Sequence, residues 1–265
     1  MKVYHYTSIE TLALILKNKT IRFNRLDQVD DIEESEYKTG NDTKFGKYAF
    51  ASCWTKNKDE DIALWKLYAD GANGIRICMD SNMFMNYIVP KDSVVPELIK
   101  NTCYYLSPEK VIMNDYIVIS NDLPNDFCRD VIYTPTPDLE SSHSSIMISE
   151  KEIIPILDKI GIYKHIRWEF QSESRFLLYA LPIDRKNKKM TIEDITLFVK
   201  NNKKVPIDYI DVPISKKCFD EIEITLSPCI DFNHPNKIII DSLINAYCQT
   251  AKVLTSSLLG KIRYK

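Results

Sequence analysis

The eight residues Trp168–Arg175, reading Trp-Glu-Phe-Gln-Ser-Glu-Ser-Arg, constrain this chain more than any other segment. In an extended strand, side chains two apart share a face, so Gln171, Glu173 and Arg175 would stand in one row. The apolar run Phe176-Leu177-Leu178-Tyr179 follows directly. An amide, a carboxylate and a guanidinium are costly to bury together unless they pair or serve a site. The same row also fits an ion pair on a partly exposed sheet, worth ~0–1 kcal/mol. The other comparable polar cluster is Tyr4-His5-Tyr6-Thr7 near the N-terminus.

Around these segments the pattern predicts strands and helices in irregular order. Lys2–Thr7 reads as a strand, with Val3, His5 and Thr7 on one face and Tyr4 and Tyr6 on the other. Ser8 can cap a helix to about Lys19, with Ile9, Leu12, Ala13 and Leu16 as its stripe. Strands are expected at Ile21–Asn24, Tyr48–Trp54 and Gly74–Asp80, with a helix carrying Ile62, Trp65 and Tyr68 or Ala69 before the last. Further helices are predicted over Ser81–Tyr87, behind the capping box Ser149-Glu150-Lys151-Glu152, and within Asn233–Gln249. Strands are expected near 170–180, 195–200, 207–213, 218–226 and Lys252–Ser257. Without regular strand–helix alternation, the reading is α+β: mixed, mostly antiparallel sheets with flanking helices. The 265 residues are taken as one domain, with a helical and loop insertion at about 85–160.

Composition excludes several classes. Net charge is −2, and the basic groups Lys186–Lys189 and Lys203-Lys204 are short, so nucleic acid is not indicated as a partner. Six glycines and no Gly-rich signature argue against a phosphate loop. Seven cysteines, odd in number and never two apart by CxxC, disfavour disulfides and a zinc ribbon, which reads as a reducing, cytoplasmic setting. No apolar stretch approaches the ~20 residues of a membrane span, so no membrane association is expected. His143, His165 and His234 lack partners at ligand spacing, and no metal is expected. The acidic segment Asp27–Glu36 lacks the periodicity of a calcium loop and reads as a solvated face. Cys53 beside Trp54 reads as packing.

The ordered set Tyr4-His5-Tyr6-Thr7, Asp30-Asp31-Ile32-Glu33-Glu34, Cys53-Trp54-Thr55, Trp65–Ala69, Gly74, Trp168–Arg175, and Ser256 or Ser257 with Arg263 resembles a bacterial family known as domain of unknown function 2971. The chain departs from that pattern at Asp30 and Ile32, where the family has Asn and Pro, and at Gln171, where a Glu is usual. The opening strand and helix are also similar, more distantly, to ADP-ribosyltransferases. That likeness implies NAD as cofactor, His5 as the NAD-binding histidine and Glu173 as the catalytic carboxylate. A fixed carboxylate suits an oxocarbenium-like transition state. Tyr6 or Tyr68 would stack on nicotinamide, although helical spacing also suits Tyr68 to core packing. Thr7 and Gln171 complete the cofactor set, and Arg175 would hold a pyrophosphate oxygen or orient Glu173. The alternative is a non-catalytic module of a stress or phage response, binding a nucleotide, a small molecule or a protein partner. On the enzyme reading the acceptor is an unidentified protein or small molecule.

Overall fold

The computed structural model describes residues 1–38, 44–70, 73–88, 103–120, 127–142, 145–149, 152–155, 160–184, 186, 192–231 and 233–262. The first part of the chain forms β1 (Lys2–Thr7), α1 (Ile9–Asn18), β2 (Thr20–Arg25), α2 (Ile32–Glu36), β3 (Ala49–Thr55), α3 (Ile62–Tyr68) and β4 (Ile75–Asp80). The middle forms β5 (Tyr87–Ile88), β6 (Cys103–Tyr104), α4 (Pro108–Val111), β7 (Tyr116–Ile119), β8 (Cys128–Asp130), β9 (Ile132–Thr134), α5 (Pro137–Ser142), β10 (Ser145–Ser149) and β11 (Glu152–Pro155). Then come β12 (Tyr163–His165), β13 (Glu173–Pro182), α6 (Ile192–Lys200), β14 (Tyr209–Pro213), α7 (Lys216–Asp220), β15 (Glu223–Leu226), α8 (Pro235–Tyr247) and β16 (Lys252–Leu254).

The architecture is α+β. Ten strands form one mostly antiparallel sheet in the order β14-β2-β3-β1-β4-β15-β16, and β13 pairs with β3, β7 and β8. Among its described strands, only β15 and β16 run parallel. One side of β3 is covered by β13 along its whole length, from Glu173↔Thr55 to Tyr179↔Ala49. The other side is shared: β2 reaches only Phe50 and Ala51, and β1 reaches only Thr55. Residues 52–54 of β3 therefore face a gap between β1 and β2. The main core lies on Leu12, Leu16, Phe23, Phe50, Ile75, Ile77, Phe176 and Leu178, all fully buried or nearly so. A smaller cluster of Tyr6, Leu64, Trp65 and Ala69 packs α3 onto β1.

Several elements differ from the sequence expectation, each for a local reason. The helix expected behind Ser149 is a hairpin instead, with Ile146 opposite Ile154 and Met147 opposite Ile153. Neighbouring β-branched residues favour the pleated strand, and Pro155 cannot serve a helix interior; residues 150–151 and 156–159 of that expectation lie outside the described set. Residues 195–200 are helical, because Ile192, Ile195 and Val199 recur three and four apart. Ser215 accepts from the Cys218 amide and starts α7, which occupies residues 218–220 of the strand expected at 218–226. No helix forms at Ser81–Tyr87: Asp80 accepts from the Asn82 amide at 2.9 Å and turns the chain. Within residues 85–160, β7 and β8 extend the main sheet through β13. Among the described residues, no helix is long and apolar enough to cross a membrane.

Candidate functional site

The row Gln171, Glu173, Arg175 is broken by one residue. Ile166–Gln171 is a 3-10 helix, capped when His165 Nδ1 accepts from the Arg167 amide at 3.1 Å. Ser172 closes it in the left-handed conformation, φ 43°, and β13 begins at Glu173. Gln171 thus reaches the site from a helical turn, while Glu173 and Arg175 reach it from the strand. Register places Glu173 beside Thr55, Arg175 beside Cys53, and Tyr4 on the far side of Thr55. Tyr4, Tyr6, Cys53, Thr55, Glu173 and Arg175 consequently share one face of the sheet.

Over this face lies a cavity of about 230 Å³. His5, Tyr6, Tyr68, Gln171, Glu173 and Arg175 all line it, together with Tyr4, Asp30, Cys53, Trp54, Leu64 and Lys164. Thr7 does not: it is buried at the Gly74 crossing, outside the lining set. The gap in the sheet explains how His5 takes part from the opposite face. Its Nδ1 lies 2.8 Å from the Cys53 carbonyl, in the stretch of β3 that pairs with β13 on one side and with neither β1 nor β2 on the other. A carbonyl only accepts, so Nδ1 carries the proton and Nε2 of the neutral ring is an acceptor. Burial pushes the His5 pKa down, which favours that neutral ring.

Helix α3 forms the roof. Asp61 caps it, accepting from Ala63 N at 2.7 Å and Leu64 N at 3.0 Å, and the Asp61 amide donates to the Tyr6 hydroxyl at 3.0 Å. Trp65 meets Tyr6 edge to face at 5.0 Å. Glu60 ties this corner to the C-terminal segment, accepting from Ser256 Oγ and the Ser257 amide, each at 2.6 Å. Those serines therefore anchor the roof from outside the cavity; Arg263 and His143 lie outside the described residues.

The floor is a chain of polar contacts. Asp30 accepts from the Tyr68 hydroxyl, which in turn accepts from Gln171 Nε2. Gln171 Oε1 and Glu173 Oε2 accept from Lys164 Nζ at 2.7 and 3.3 Å. Arg175 donates to Glu173 through Nε at 2.5 Å and Nη2 at 3.1 Å. It also grips Glu34 with both terminal nitrogens, and Nη1 reaches the Gly161 carbonyl at 2.8 Å. All five guanidinium donors are thereby engaged inside the protein. Burial opposes ionisation of Glu173, but Arg175 and Lys164 outweigh it and hold the carboxyl at about 2. Burial raises the Glu34 carboxyl despite Arg175, and raises the Cys53 thiol well above its ordinary value. Burial, with Asp30 behind it, also raises the Tyr68 hydroxyl.

Three contributors, Lys164, Glu34 and Asp30, had been given no role in the site from the sequence. Lys164 is 1% exposed and sits 4.6 Å from the Trp168 ring. Its signal was available: Ile160, Ile162 and Lys164 alternate, which puts the lysine on the apolar face. Glu34 and Asp30 lay in the segment read as a solvated face. That reading is corrected, because Glu34 and Asp31 are each 3% exposed and Asp30 lines the cavity. No group of three or more candidate metal ligands occurs among the described residues. Comparison with family models, curated proteins and solved structures returns no match.

Proposed function

We propose that the cavity receives the nicotinamide–ribose end of NAD, and that the protein is an NAD-dependent enzyme resembling ADP-ribosyltransferases. The observation that carries this reading is the convergence of His5, Tyr68 and Glu173, remote in sequence, on one cavity. Cleaving the nicotinamide–ribose bond passes through an oxocarbenium-like state, as glycoside cleavage does. Glu173 is an ionised carboxylate fixed by Arg175 and Lys164, suited to hold the ribose 2′-hydroxyl and stabilise developing charge. Nε2 of a neutral His5 is an acceptor for a ribose hydroxyl, and Tyr6 and Tyr68 line the cavity as aromatic partners for the nicotinamide. A volume of about 230 Å³, below the ~300–1,000 Å³ of drug-sized sites, suits that end of the molecule rather than the whole dinucleotide. In this reading Arg175 orients Glu173 and leaves pyrophosphate alone.

One observation favours a second reading, a non-catalytic nucleotide- or protein-binding module of a stress or phage response. Two cations share the charge of Glu173, which weakens its pull on an oxocarbenium, and Gln171 adds no second carboxylate beside it. Incubation with NAD separates the two. Nicotinamide release by the wild type, reduced ~10²-fold or more in a cooperatively folded Glu173→Gln variant that still binds NAD, supports the enzyme. Saturable NAD binding without release supports the module. Neither release nor binding removes NAD from both readings.

A further inference from the structure

We infer that Asp30 is the base that takes the proton from the incoming acceptor, and that this acceptor is a neutral hydroxyl or amine arriving from solvent. The inference rests on the NAD reading above. In that reaction the bond from ribose C1′ to the pyridinium nitrogen breaks, and its electron pair leaves with neutral nicotinamide. A bond forms between C1′ and the acceptor oxygen or nitrogen, whose proton must then be removed. NAD and the protonated acceptor thus give glycosylated acceptor, nicotinamide and one proton, with no change in redox state.

The cavity offers few places for that proton. Glu173 already accepts from Arg175 twice and from Lys164, and those cations keep it a poor base. Lys164 and Arg175 only donate. Gln171 is an amide, and its two ends are committed to Tyr68 and Lys164. The Tyr68 hydroxyl has already turned its proton toward Asp30. His5 has a free Nε2, but burial opposes the imidazolium that protonation would create. Asp30 differs from all of these: its side chain is 42% exposed, so a captured proton can pass to water. Its position is also set, since Oδ2 accepts from Tyr68 and Oδ1 lies 3.9 Å from Lys164 Nζ. The Gln171–Tyr68 bridge joins the 3-10 turn, α3 and the segment before α2, so Asp30 stands at the rim in fixed relation to Glu173.

The test uses sodium azide, an anionic nucleophile with no proton to lose, against water as the neutral one. Wild type and Asp30→Asn are compared with NAD as substrate, following nicotinamide, hydrolysis product and glycosyl azide. Asn keeps the acceptor for Tyr68, and a matching melting curve establishes that the variant is folded. The expected result is hydrolysis reduced ~10²-fold in Asp30→Asn, with glycosyl azide formed at the wild-type rate. Equal hydrolysis by the two proteins overturns the role of Asp30 while leaving the NAD reading intact. Parallel loss of both products overturns it in favour of a structural role. Absence of nicotinamide release by wild type, with or without azide, overturns the NAD-dependent enzyme reading and this inference with it.

Discussion

Arg175 has no donor left for a ligand, and that fact fixes its role. It is 1% exposed, clamped between Glu173 and Glu34, and tied to the Gly161 carbonyl. A buried ion pair adds little net stability over an apolar replacement of the same shape, but removing one partner leaves an uncompensated charge. Arg175→Met strands two buried carboxylates, so a loss of ~3–5 kcal/mol is expected in urea unfolding. Arg175→Lys keeps the charge and loses the fork, and cannot reach both carboxylates and the carbonyl with the same geometry. It should fall between wild type and Met. If Arg175→Met unfolds at the wild-type urea midpoint, the clamp contributes nothing and Glu173 is held by Lys164 alone.

At the scale of elements, periodicity made much of the fold legible. Alternation in Lys2–Thr7 and the Ser8 cap identified β1 and α1, and Ile62, Trp65 and Tyr68 or Ala69 identified α3. Gln171, Glu173 and Arg175 do meet in one cavity, yet the strand assumed for them begins only at Glu173. A left-handed Ser172 leaves no periodic trace that distinguishes it from a strand residue. Glu34 was illegible for another reason: a buried glutamate in an acidic loop is recognisable only from Arg175, which lies 141 positions away. Gly74, by contrast, has a clear physical role. A Cβ there would lie 2.2 Å from the Thr7 carbonyl oxygen and 3.0 Å from the Ala69 backbone, where β1, α3 and β4 meet. Backbone cannot yield as a flexible side chain does, so Gly74→Ala should cost ~1–3 kcal/mol. Because α3 carries Tyr68, the same change should weaken NAD binding. A variant with unchanged melting temperature and unchanged NAD affinity would mean that α3 moves without disturbing the roof.

For the whole molecule, the buried charges make a specific acid response. Glu173 has its folded carboxyl held at about 2, against 4.5 as the ordinary value. A depressed carboxyl contributes stability that is present above the unfolded pKa and lost as pH falls toward the folded one. The window is therefore pH 4.5 down to about 2, and at ~1.4 kcal/mol per unit the contribution is of order 3 kcal/mol. Glu34 has the opposite sign: burial raises its carboxyl, so it opposes folding as pH rises above its ordinary value and contributes nothing to the acid window. Burial raises the Glu60 and Asp130 carboxyls, but serine contacts at Glu60 and Lys56 with Ser174 at Asp130 outweigh it; both are depressed and share the acid limb. The informative quantity is thus the difference between wild type and Glu173→Gln, not the slope of either. Glu173→Gln should be less stable at neutral pH, and the two unfolding free energies should converge as pH approaches about 2, where the wild-type carboxyl is half protonated. Parallel curves across that window would mean that Glu173 titrates normally, and that the cations around it balance Glu34 and Asp30 instead.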